Sequence, residues 1–245
     1  MSIFVAETLG TFLLILLGNG VVAANILKDT KCGFNPAASW MVITTGWAFA
    51  VFVGVVVSAN ASGAHLNPVV TISLALANKL SWNLVPEYFA GEFLGAALGA
   101  LCVWIMYKNH FDKTEDEATK RACFCTEPAI RDFKSNFFSE MIGAFVLMIT
   151  IFYIDGGSIE IANDPNAKIG LGSVGALPVA CLIWAIGLSL GATTGYAINP
   201  ARDLSPRIIL SLLPMNVKAD WSYALIPIIA PIVGGVLATF LYLHI

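Results

Sequence analysis

Asn67-Pro68-Val69 and Asn199-Pro200-Ala201 each follow a four-residue stretch, Gly63-Ala64-His65-Leu66 and Gly195-Tyr196-Ala197-Ile198. Asn-Pro is a strong helix start. The Asn side-chain oxygen accepts from a first-turn N–H, and Pro at the first helical position has its φ preset and lacks an N–H that would be orphaned anyway. Such a cap occupies the amide oxygen, so the NH2 donors are free to point away from the helix. The two stretches before the caps offer rows of backbone carbonyls, a ladder of acceptors for a polar solute. Glu7 and Glu140 sit in matching segments, Ala6-Glu7-Thr8-Leu9-Gly10 and Ser139-Glu140-Met141-Ile142-Gly143. A carboxylate that accepts several backbone N–H groups can anchor an irregular loop; two isolated glutamates make a poor proton relay. Arg202 follows the second Asn-Pro motif, where the first has Val70, and it can donate to hydroxyls and repel cations. Asp203 and Arg207 are four apart and can pair on a helix.

The elements that must position these groups are read from composition. Of 245 residues, 58% are hydrophobic and 12% charged. So few charges cannot coat a globule, which excludes a soluble monomer and a disordered chain. A net charge of -3 gives no reason to expect nucleic acid as a partner. The bilayer is the expected solvent. Apolar runs fall at 3–27, 39–59, 84–107, 136–154, 172–191 and 221–244, each near the ~20 residues that span a membrane. The first begins at Ile3 with no basic residue before it and is too long for a signal-peptide core, so it is expected to stay as a membrane helix. Two shorter runs, at about 67–77 and 199–213, begin at the Asn-Pro steps and have re-entrant length. Irregular backbone at membrane depth is tolerated only in protein or beside a water-filled cavity.

The matched motifs occur in one order, and Gly91-Glu92-Phe93-Leu94-Gly95 weakly parallels Ala230-Pro231-Ile232-Val233-Gly234. The expected organisation is one domain over 1–245, with repeats at about 1–107 and 136–245 and a connecting loop at 108–135. Three crossings per half force the second half to enter from the opposite face, an inverted repeat with its site at the repeat interface. The fold expected is an all-α membrane protein with six transmembrane helices and two re-entrant half-helices. The loop 108–135 carries six basic and six acidic residues and reads as a solvated neutral loop. Cys123 and Cys125 within it lack the ligand spacing of a metal site, and no metal or cofactor is expected. No nucleophile–base pair stands on a common face, so an enzyme is not expected. Glu92 has no acidic mate in the second half.

These residues resemble the aquaporin (major intrinsic protein) family across essentially the whole chain. The resemblance rests on Ser62–Thr71, on Gly195–Asp203, and on Glu7 and Glu140. It implies the aquaporin fold and is nearest to the glycerol facilitators. It places the family's constriction at Trp47, Gly187, Tyr196 and Arg202. Glycine at 187, where water-selective members carry His, leaves room for a carbon chain, and Asp203 and Arg207 match the glycerol branch. Trp47 and Tyr196 would face the CH groups of a polyol; Arg202 and the loop carbonyls would bind its hydroxyls. The function implied is a passive channel for glycerol, other small neutral solutes and water, closed to protons by the half-helix dipoles and the two Asn donors. The alternatives are a water-selective channel and a coupled secondary transporter, for which the lumen offers no clustered carboxylates.

Two departures from the family pattern bear on solute choice. Val69 replaces the usual Ala and adds bulk where the half-helices should touch. Tyr196 replaces a common Phe, and its hydroxyl would narrow the filter or add a partner. The family also implies a homotetramer in the cell membrane with cytoplasmic termini. A bare count of basic residues, concentrated at Lys28, Lys31, 108–135 and Lys218, would invert that orientation.

Overall fold

A computed structural model of the chain describes residues 1–33, 36–155, 159–161 and 164–245. Its order is α1 (Ile3–Ile26), α2 (Pro36–Ser62), α3 (Pro68–Leu76), α4 (Val85–Lys113), α5 (Glu117–Ala122), α6 (Phe133–Tyr153), α7 (Leu177–Leu190), α8 (Pro200–Leu212) and α9 (Leu225–His244). A short antiparallel ribbon, β1 (Ile159–Ile161) with β2 (Asp164–Ile169), lies in the connection between α6 and α7. Among the described residues, six helical stretches are long and apolar enough to cross a membrane: those of α1, α2, α4, α6, α7 and α9. The chain is a multi-pass membrane protein of the all-α class, and α3 and α8 are too short to cross.

The helix starts are capped by the residue types that cap best. Ser2, Asn67, Asp116, Asp132 and Asn199 each accept from a first-turn N–H of α1, α3, α5, α6 and α8. Packing within each half relies on glycine. Gly91, Gly95 and Gly99 of α4 lie one turn apart against α1: a Cβ on Gly95 would stand 2.3 Å from the Thr8 carbonyl oxygen. Gly234 of α9 meets α6 the same way, with an added Cβ 2.1 Å from the Met141 carbonyl oxygen. Apolar surfaces in lipid gain nothing by leaving water, so close backbone approach and dispersion must hold helices together. The halves are joined by α2 on α7 and α4 on α8.

Several boundaries differ from the apolar runs; α6, for example, begins at Phe133 rather than 136, and α7 at Leu177 rather than 172. The α2 helix continues to Ser62, α4 continues past Tyr107 to Lys113, and α9 begins at Leu225 rather than 221. The α4 extension is held by exposed pairs, Lys108 with Asp112 at 2.7 Å and Lys113 with Asp29 at 3.0 Å. The expectation of a solvated loop over 108–135 is corrected. After α5 the chain turns inward, and Cys123, Phe124, Cys125 and Thr126 are buried. Hydropathy missed this because the segment is short and flanked by charges that remain in solvent.

Candidate functional site

The two capped loops meet tip to tip. Asn67 Oδ1 accepts from Val69 N at 2.9 Å, and Asn199 Oδ1 accepts from Ala201 N at 3.0 Å and Arg202 N at 3.2 Å. Each amide then donates across the junction: Asn67 Nδ2 to the Ile198 carbonyl at 2.9 Å, and Asn199 Nδ2 to the Leu66 carbonyl at 2.7 Å. One donor of each Asn is thus committed to the opposite loop, and the last carbonyl of each ladder already accepts one hydrogen bond. Among the described residues nothing donates to the carbonyls of Gly63, Ala64, His65, Gly195, Tyr196 or Ala197.

The loops hold a conformation that costs energy. Gly63, Ala64 and Leu66 have φ of 82°, 56° and 54°; Gly195, Tyr196 and Ile198 have 83°, 37° and 43°. Left-handed backbone costs a non-glycine residue about 1–2 kcal/mol. The glutamates offset this. Glu7 accepts from His65 N at 3.0 Å and Leu66 N at 2.6 Å, and from Ser62 Oγ at 2.5 Å. Glu140 accepts from Ala197 N at 3.0 Å and Ile198 N at 2.9 Å. The glycine three residues after each glutamate makes room for the last loop side chain. A Cβ on Gly10 would lie 2.6 Å from Leu66 Cδ2, and one on Gly143 2.9 Å from Ile198 Cγ2. Both glycines stand in the repeated segments, so the repeat itself was the signal for this role.

One cavity is lined by both loops, by Asn67 and Asn199, and by Trp47, Tyr196 and Arg202. Apolar side chains, among them Leu14, Val51, Val55, Leu147 and Ile183, complete its lining. The Arg202 guanidinium lies over the Trp47 ring, 4.3 Å from its centroid, and donates through Nη1 to the Phe124 carbonyl at 3.3 Å. Gly18 of α1 opens the slot for Trp47, since a Cβ there would stand 2.3 Å from the indole.

Gly187 does not line this cavity. The space over it is filled by Tyr196: an added Cβ would stand 2.9 Å from Tyr196 Cζ and 3.0 Å from its hydroxyl oxygen. The room left by glycine is taken by the tyrosine ring. Gly191, one turn on, receives the near edge of the same ring. The Tyr196 hydroxyl is therefore turned away from the lumen, buried and without a hydrogen-bond partner among the described residues. Val69 likewise points away, toward α9, where a Cβ on Gly235 would stand 2.5 Å from Val69 Cγ1. The bulk expected at the half-helix contact is absorbed by a glycine on a third helix.

Sequence reasoning left Glu92 without a role. It accepts from Thr71 Oγ1 at 2.7 Å, and Thr71 Oγ1 lies 2.9 Å from His65 Nδ1. When the Thr71 hydroxyl donates to an ionised Glu92, its oxygen is left to accept from a protonated His65 Nδ1. The His65 ring also stacks on Tyr88 at 4.0 Å, and Tyr88 donates to the Ser62 carbonyl. In the second half, Asp203 and Arg207 form a buried pair at 2.8 Å. Asp203 Oδ2 accepts from Thr126 N and Thr126 Oγ1, both at 2.7 Å. No local signal pointed to Thr126 or Phe124, because their partners lie 77 and 78 residues away.

A family model, Major intrinsic protein, matches residues 1–242. A probable glycerol uptake facilitator protein of Thermotoga maritima is 46% identical, over 99% of this chain and 98% of its own. A glycerol uptake facilitator protein of Streptococcus pneumoniae is 48% identical over the same shares. Among solved structures, the aquaglyceroporin from Plasmodium falciparum superposes with a TM-score of 0.81 at 31% identity, covering 98% of this chain and 94% of that one.

Proposed function

The chain belongs to the major intrinsic protein family, and from that premise we propose that it is a passive channel for glycerol and other small neutral solutes, with water permeability and exclusion of protons and ions. It is a channel and not an enzyme. The observation that carries the reading is the mixed lining of the cavity. Arg202 and two loops with unpaired carbonyls share it with apolar side chains, and the guanidinium lies 4.3 Å from the Trp47 ring centroid. A polyol carries both hydroxyls and CH groups, so such a lining offers partners to each.

In this reading Trp47, Tyr196 and Arg202 line the constriction, and Gly187 acts indirectly by seating the Tyr196 ring. Asn67 and Asn199 meet at the membrane midplane with two half-helix N-termini, whose positive ends oppose cations and a proton wire. Glu7 and Glu140 serve as loop anchors. The two halves are inverted repeats in a single domain. We place the chain in the cell membrane with cytoplasmic termini, as a homotetramer. A reporter fused after Ile245 that reads out on the external face would reverse that orientation.

The deciding experiment is stopped-flow light scattering on proteoliposomes under glycerol and under impermeant gradients. Glycerol entry well above empty liposomes is expected. Water flux without glycerol flux would instead favour a water-selective channel, the outcome that a Tyr196 ring filling the space over Gly187 could produce.

A further inference from the structure

The buried segment after α5 meets the first turn of α8 at two points. The Phe124 carbonyl accepts from Arg202 Nη1 at 3.3 Å, and two residues on, Thr126 meets the next residue of α8, Asp203. Every polar group of Thr126 is engaged by the buried Asp203–Arg207 pair. Its N–H and its hydroxyl donate to Asp203 Oδ2 at 2.7 Å, and its carbonyl accepts from Arg207 Nη2 at 3.0 Å. Its methyl lies against Gly195 of the second loop, since a Cβ there would stand 3.2 Å from Thr126 Cγ2. A buried ion pair contributes little net stability but can specify one geometry among several.

Arg202 has few other restraints. The Phe124 carbonyl is the only hydrogen-bond partner of its guanidinium among the described residues. The Trp47 face attracts the cation without selecting which N–H points where. The position of that one carbonyl therefore decides which of the five N–H donors face the lumen.

We propose that Thr126 is a positioning residue for solute selection: by locking the segment to Asp203, it places the Phe124 carbonyl and through it the Arg202 guanidinium. This rests on the reading of Arg202 as a filter group. It assigns a selective role to a loop residue that reaches the solute only through others.

The test compares Thr126→Val with Thr126→Ser in the full-length protein. Valine keeps the methyl on Gly195 and the backbone bonds but removes the hydroxyl donor; serine keeps the donor. Stopped-flow measurement of glycerol and water permeability on the same vesicles gives their ratio, which does not depend on the amount of folded protein. The ratio is expected to move about fivefold in Thr126→Val and to stay within about twofold of wild type in Thr126→Ser. An unmoved ratio in Thr126→Val overturns the proposal, as does an equal shift in both variants.

A second readout follows the lock itself. With Cys32, Cys102 and Cys181 replaced by Ser, the remaining thiols are the buried Cys123 and Cys125. Burial holds the Cys125 thiol up at about 12, with Asp203 adding to the effect, so it is unreactive at neutral pH. Labelling by an impermeant maleimide is expected to quicken about fivefold in Thr126→Val and not in Thr126→Ser. No quickening overturns the proposal. If wild type carries no glycerol above empty liposomes, the channel reading fails, whereas the labelling result still decides whether Thr126 is a lock.

Discussion

The two pore loops are built alike and supported differently. In both, a glutamate binds the third and fourth backbone N–H, a glycine three residues later clears the last side chain, and an Asn cap reaches across to the opposite carbonyl. Around the first loop the polar network stays within its own half: His65, Thr71 and Glu92 form a chain, and Tyr88 covers it. Around the second loop the network reaches outside the half, with Arg202, Asp203 and Arg207 bonded to residues 124 and 126 of the connecting segment. The shared parts keep strained backbone in place. The unshared parts put the cation, and the means of aiming it, on one side only. In the proposed channel, symmetry builds the conduit and its breaking supplies the discrimination.

The comparison is broken most severely at the anchors. Glu7→Gln and Glu140→Gln each turn an acceptor into a donor facing a backbone N–H, at a cost of about 3 kcal/mol or more. Thermal unfolding in detergent should show similar losses in both halves. A tolerated change in one half alone would mean that the loops are not equivalently strained.

Next in size is Gly187→His. The new side chain collides with the Tyr196 ring, an overpacking cost of about 1–3 kcal/mol, and glycerol flux should fall to the empty-liposome level. Adding Tyr196→Ala should recover much of the lost stability, a non-additivity read from a double-mutant cycle. Unchanged glycerol flux in the single variant would remove Gly187 from the filter.

The first motif offers a smaller test. Gly235→Ala should cost about 1–3 kcal/mol by collision with Val69. Val69→Ala should relieve it while leaving the ratio of glycerol to water flux unchanged. A changed ratio would put Val69 back in the lumen. Smallest is Tyr196→Phe, which removes a buried hydroxyl with no partner and should alter stability by no more than about 1 kcal/mol. Its flux ratio should match wild type; a clear shift would mean that the hydroxyl meets the solute.

How much was legible beforehand differs from residue to residue. Six spans, two half-helices, the Asn caps and the paired glutamates were readable, as was the Asp203–Arg207 spacing. Glu92 was not, because its partner Thr71 lies on another helix 21 residues away and nothing in the repeat marks it. The Tyr196 hydroxyl was expected toward the solute and lies against α7, since a ring turns toward whatever space its neighbours leave, and Gly187 leaves it.

By itself the sequence determined the solvent, the number of crossings, the repeat and the places where helices start within the membrane. These come from length against bilayer thickness and from hydrogen bonds between residues two or three apart, which any local pattern reveals. Tertiary structure alone decided where Tyr196 and Val69 point, what Glu92 holds, and that a charged loop sends Phe124 and Thr126 down to Arg202 and Asp203. Those outcomes depend on which voids the packed helices leave and which buried donors lack a partner. Both are properties of surfaces brought together from distant parts of the chain.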